Sequence, residues 1–149
     1  MKGTLLAYDG SECGRVALRS ALPIVTHQGG PIHLLAVVPV QSQLAMAESF
    51  YTAELFEAEE NRIRAVLNEG VAFLDQHGLQ AEGHLEVGEP VSRISALAEA
   101  LDVALVVVGH RRRGPLARWW QASVGASLLD HLHCNLLVAM SAEDEANSD

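Results

Sequence analysis

Val103 to Gly125 reads VALVVVGHRRRGPLARWWQASVG, an apolar run joined to a small-residue stretch by an arginine-rich loop. The run Val103–Val108 is too continuously apolar for a strand with one face in water. It predicts a strand buried on both faces, which is the habit of parallel sheets. Ser123 to His133 then reads as a helix, and Asn135 to Met140, NLLVAM, as a last strand.

The same alternation extends toward the amino terminus. Gly3 to Tyr8, GTLLAY, is a short strand stopped by Asp9-Gly10-Ser11, where Ser11 or Asp9 can cap a helix. Val16, Ala17, Ala21, Leu22 and Val25 follow at helical spacing, with Pro23 expected to kink that helix or mark an irregular turn. Gln28-Gly29-Gly30-Pro31 ends it. Ile32 to Val38, IHLLAVV, is another nearly unbroken apolar strand stopped by Pro39. From about Leu44 to His77 a long amphipathic helix is marked by Leu55, Phe56, Ile63, Val66, Leu67, Val71 and Leu74, with glutamates between them. Leu79 to Val87 alternates as a half-exposed strand. After Gly88-Glu89, Pro90 opens a helix whose apolar face is Ile94, Leu97, Ala98 and Leu101. Strands alternating with helices mean an α/β fold with a parallel sheet and right-handed crossovers.

Composition narrows the function classes. The 149 residues suit one domain with a real core, and 49% are apolar. A formal net charge of −9 argues against general nucleic-acid binding. No apolar run reaches the roughly 20 residues that span a bilayer, so no membrane partner is expected. The start lacks a long apolar leader with a small-residue cleavage site, so the expected location is cytoplasmic. The two cysteines, Cys13 and Cys134, are expected as free thiols. His131-Leu132-His133-Cys134 matches no zinc spacing, and Cys134 is better read as entering a buried strand. No metal site is expected. The tail 141–149, SAEDEANSD, is acidic, polar and expected to be disordered.

No acid lies between Asp102 and Asp130, whereas Arg111, Arg112, Arg113 and Arg118 do. This basic island suits a small anion, although a solvated loop offsetting nearby acids explains it as well. In open parallel sheets ligands bind at the carboxyl ends of strands, near the point where the strand order reverses. Two strand ends carry suitable residues, Asp9-Gly10-Ser11 and Gly109 with its loop. Gly109-x4-Gly114 has the opening of a phosphate loop, but Pro115-Leu116 stands where Lys-Ser/Thr is needed. Trp119 and Trp120 point different ways and are read as packing residues. No nucleophile with a paired base emerges from spacing, so no catalytic residues are assigned and the chain is read as non-enzymatic.

LLAYDGSECGRVALRSAL and VGEPVSRISALAEALDVALVVVGHRRRGPLARWWQASVGASLLDHLHCNLLVAM together resemble the universal stress protein family, over residues 1–140. The resemblance implies a three-layer sandwich, a five-stranded parallel sheet in order 3-2-1-4-5 with helices on both faces. It also implies an ATP or AMP site, with Ala7, Asp9 and Val37 near adenine and Gly109 and Ser123 at the phosphates. Asp9 and Ser123 have equally good explanations as turn and helix-cap residues. Nucleotide-binding members carry G-x2-G-x9-G-(S/T). Aligned on Gly109, this chain has Arg112 and Ala122 where that pattern has glycine, and Ser123 where it has Ser or Thr. Arg112 adds bulk and costs roughly 1 kcal/mol if its position is left-handed. Ala122 adds a methyl at a close approach. Gly114 keeps some freedom in the loop.

The expected function is therefore a stress-response protein acting through dimerisation and interaction, with a degenerate nucleotide loop. The alternative is an ATP- or AMP-binding member in which Arg111 to Arg113 replace lost glycine contacts, with slow ATP hydrolysis. A nucleotide-transferring enzyme is disfavoured, since neither H-x-G-H nor S-G-G-x-D-S occurs. The resemblance further implies a homodimer through the last strand, Leu136, Leu137, Val138, Ala139 and Met140. An apolar edge strand needs a partner or a cover, and the tail is the other candidate. No motif names a protein partner.

Overall fold

A computed structural model describes residues 1–39, 53–110 and 124–140. The chain runs β1 (Thr4–Ala7), α1 (Glu12–Gln28), β2 (Ile32–Pro39), α2 (Ala53–Gln76), β3 (Ala81–Gly88), α3 (Pro90–Ala100), β4 (Leu105–His110), α4 (Val124–His131) and β5 (Asn135–Met140). All strands are parallel, and the sheet order is β3-β2-β1-β4-β5. The chain thus steps outward from β1 to β3, then returns to the other side of β1 for β4. The order reverses between β1 and β4.

Strand alternation explains the layers. On β1, Leu5 and Leu6 point to opposite faces, and so do Leu34 and Leu35 on β2; all four are essentially inaccessible. Leu6, Leu34, Ala36 and Val38 meet Ala21 and Val25 of α1 and Ile63, Leu67 and Leu74 of α2. Leu5, Leu35, Val106 and Val108 meet Ile94 and Ala98 of α3 and Leu128 of α4. Each fully buried leucine contributes on the order of 1.5–3 kcal/mol. β2 carries no exposed residue before Pro39, as its unbroken apolar run requires.

Local signals set the element ends. Ser11 is the N-cap of α1, and its hydroxyl accepts from the Gly14 amide at 2.9 Å. Both carboxylate oxygens of Glu89 cap α3, accepting from the Val91 and Ser92 amides, and Pro90 opens the helix. α1 continues through Pro23, which lies on its exposed side, as does Arg19, whose carbonyl loses its helical donor. The expected kink is not an interruption, because water can serve that carbonyl. β3 begins at Ala81, two residues later than the alternation suggests. Leu79 belongs to the end of α2: its amide bonds the Leu74 carbonyl at 2.9 Å, while Gly78 bonds that of Asp75 at 3.0 Å. This is a Schellman closure, with Leu79 packed back on the core.

Among the described residues no helix is long and apolar enough to cross a membrane. The arginine loop with Trp119 and Trp120, the expected helix start before Ala53, and the tail 141–149 lie outside the described residues.

Candidate nucleotide site

The carboxyl ends of β1 and β2 open into a cleft of about 320 Å³. Its floor and walls come from Tyr8 to Ser11 after β1, Val37 and Pro39 of β2, Arg62 and Ile63 of α2, and Pro90 of α3. Four segments of the chain converge here because α2 packs across β2 and β3 while α3 covers β2 and β3 from the other face.

The structure brings Asp9 and Val37 together in this cleft. Ala7 ends β1 beside them, half-buried and paired in register with Leu35. Gly109 lies buried near the end of β4, on the far side of β1, in register with Ala139 of β5. Ala7 and Gly109 do not line the cleft itself. Arg112, Gly114, Ala122 and Ser123 lie outside the described residues.

Asp9 is tied into the helix start. Its Oδ1 accepts from the Ser11 amide at 3.1 Å and from the Ser11 hydroxyl at 2.7 Å. The Ser11 oxygen in turn accepts from Gly14, so the hydroxyl serves the turn and the helix cap together. Gly10 sits between them at φ +81°. A Cβ there would come 2.8 Å from Val66 Cγ2, so both backbone and space require glycine.

Among the described residues Arg62 is the cation lining the cleft, and sequence reasoning missed it. Its Nε and Nη2 hold both oxygens of Glu59 at 3.1 and 2.7 Å. That hydrogen-bonded pairing lowers the Glu59 pKa and raises that of Arg62, to which the Asp9 charge adds. An incoming anion finds Arg62 already neutralised. Asp9, Glu59 and Arg62 together leave this part of the site acidic, which suits a ring that donates hydrogen bonds better than a phosphate. Val37, Ile63, Pro39 and Pro90 supply apolar surface for such a ring.

Tyr8 forms the remaining wall. Its hydroxyl donates to Glu69 Oε1 at 3.2 Å, and Arg15 Nε donates to the same oxygen at 2.7 Å. Burial, reinforced by the Glu69 carboxylate, pushes the Tyr8 hydroxyl up to about 12. The Tyr8–Glu69–Arg15 link pins α1 to α2 beside the cleft. The alternation of α2 marked its core face, but nothing local showed that Arg62 and Glu69 would face β1.

Residues 1–139 match the universal stress protein family. A universal stress protein of Synechocystis sp. is 28% identical over 145 residues, covering 90% of this chain and 94% of that protein. A universal stress protein solved in complex with cAMP superposes with a TM-score of 0.68 at 23% identity, covering 93% of this chain and 97% of that one. A family protein from Arabidopsis thaliana, solved with AMP bound, gives a TM-score of 0.65 at 18% identity, covering 99% and 97%. With a family match across nearly its whole length and the matching strand order, the chain belongs to the universal stress protein family.

Proposed function

We propose that the protein is a non-enzymatic universal stress protein that acts through association, and that its nucleotide site keeps a nucleoside half while its phosphate half is weakened. The observation that carries this reading is the cleft itself. It keeps Asp9 and apolar walls at the carboxyl ends of β1 and β2, beside the reversal in strand order. The phosphate loop keeps its length from Gly109 to Ser123 but carries Arg112 and Ala122 in place of glycine. Backbone approach to a triphosphate is then obstructed. The location is read as cytoplasmic, and the protein is read as a homodimer joined edge to edge along β5. In β5, Leu137 turns to one core and Leu136 and Val138 to the other, so the edge offers mainly backbone groups.

A second reading is favoured by the same cleft. Arg111 to Arg113 supply side-chain contacts to one phosphate, and the ligand is AMP or a cyclic nucleotide of the kind that two of the similar structures hold. Calorimetry on nucleotide-stripped protein, with ATP and AMP and with and without magnesium, separates the two. The first reading expects no heat with ATP from the native chain and binding gained by an Arg112→Gly, Ala122→Gly variant. Tight ATP binding by the native chain overturns it. AMP binding that the double substitution weakens supports the second.

A further inference from the structure

We propose that His33, Glu82 and His84 form a binding site for one divalent transition-metal ion of the zinc class, at the opposite end of β2 and β3 from the cleft. Sequence reasoning expected no metal site because the ligands come from two strands whose register only the sheet supplies. His33 pairs in register with Glu82, and His84 stands two residues further along β3. With a side-chain period of two, all three project on one face of the sheet. One ligand atom from each lies within 4.8 Å of the others.

The rings are hydrogen-bonded to each other as they stand, and small movements bring the three ligand atoms to the spacing a metal needs. His33 Nδ1 is 3.0 Å from His84 Nε2 and 3.7 Å from Glu82 Oε2. Zinc–ligand bonds of about 2.0–2.2 Å in a tetrahedron set ligand atoms roughly 3.3–3.5 Å apart. The two observed separations bracket that edge. Without a cation, the shared contact between the rings takes one hydrogen, and the Glu82 oxygen beside the same nitrogen gets none. Three lone-pair donors converge, and a cation satisfies them together; the shared hydrogen moves to the outer nitrogen of its own ring.

Placement supports this chemistry. His33 is buried at the start of an inner strand, which fixes where its ring stands relative to Glu82 and His84. Glu82 is largely exposed on the edge strand, so its carboxylate can close on an ion and the fourth position opens to water. Two imidazoles and one carboxylate suit zinc and its neighbours rather than magnesium, which takes oxygen ligands.

The test is calorimetry of the untagged full chain with ZnCl2, with MgCl2 as comparison, alongside nitrogen-15 spectra of the histidine rings. One zinc per chain is expected, no magnesium, and shifts of the His33 and His84 ring nitrogens. His84→Ala should weaken zinc binding by at least about 100-fold and Glu82→Gln by at least about tenfold, since even outer-shell losses cost 10–100-fold. Glu82 is exposed, so the second variant decides the matter if the first does not fold. A His131→Ala, His133→Ala variant should bind zinc as the native chain does. No zinc binding by the native chain, binding that survives both site substitutions, or binding lost only in the His131/His133 variant would overturn the proposal.

Discussion

Gly70→Ala sets helix propensity against packing, and the structure decides which wins. Gly70 lies on the buried face of α2 with Ile63, Leu67 and Leu74. Replacing glycine by alanine inside a helix gains about 1 kcal/mol. The new Cβ, however, would stand 2.5 Å from Leu34 Cδ2 and 2.9 Å from Tyr8 Cδ2. Neither neighbour can yield easily. Leu34 is fully buried in β2, an inner strand, and the Tyr8 ring is held by its bond to Glu69. Overpacking of this kind costs about 1–3 kcal/mol. The expected net loss is up to about 2 kcal/mol, which for a chain of this length lowers the thermal midpoint by up to roughly 8 °C. Thermal and urea unfolding followed by circular dichroism measure it. In a Leu34→Val background the offending methyl is gone, so the same substitution should cost markedly less, a coupling of about 0.5–3 kcal/mol. A Gly70→Ala protein that melts higher than the native one would refute the close-approach argument.

Three further outcomes are expected. Ser11→Ala removes the α1 cap and the hydroxyl held by Asp9, so stability should fall by about 1 kcal/mol, or roughly 2–4 °C in the melting midpoint; an unchanged midpoint would mean the cap is idle. Tyr8 ionises near 12 in the folded chain and near 10 when unfolded, so the folded state keeps its proton longer. Its contribution is present below pH 10 and lost as pH rises toward 12, a fall of about 2–3 kcal/mol that urea unfolding against pH should show and Tyr8→Phe should abolish. Sedimentation equilibrium should return the mass of two chains, and a monomer at every concentration would remove the β5 interface from the proposal.

Much of the fold is legible in the amino-acid order because its determinants are local. Ile32–Val38 has no polar alternation beyond His33, so it had to be central, and the structure buries it between β1 and β3. Asp9-Gly10-Ser11 announces a helix start because an Ncap hydroxyl needs only the next turn's amides. Glu89-Pro90 is legible for the same reason. The family resemblance supplied the strand order, which periodicity alone does not encode.

The site was only half legible. Asp9 and Val37 could be chosen because they stand at strand ends, where parallel sheets bind ligands. Arg62, Ile63 and Pro90 could not, because their place in the cleft depends on how α2 and α3 cross the sheet. The pairing of Arg62 with Glu59 is helical and local, yet its position beside Asp9 is not. His33 shows the difference most plainly. In sequence it is one polar residue in an apolar run; in the sheet it meets His84, 51 residues away. Hydrophobic period specifies which way a side chain faces along its own element. Which residue it then meets is decided by register and packing, and those exist only once the whole sheet has formed.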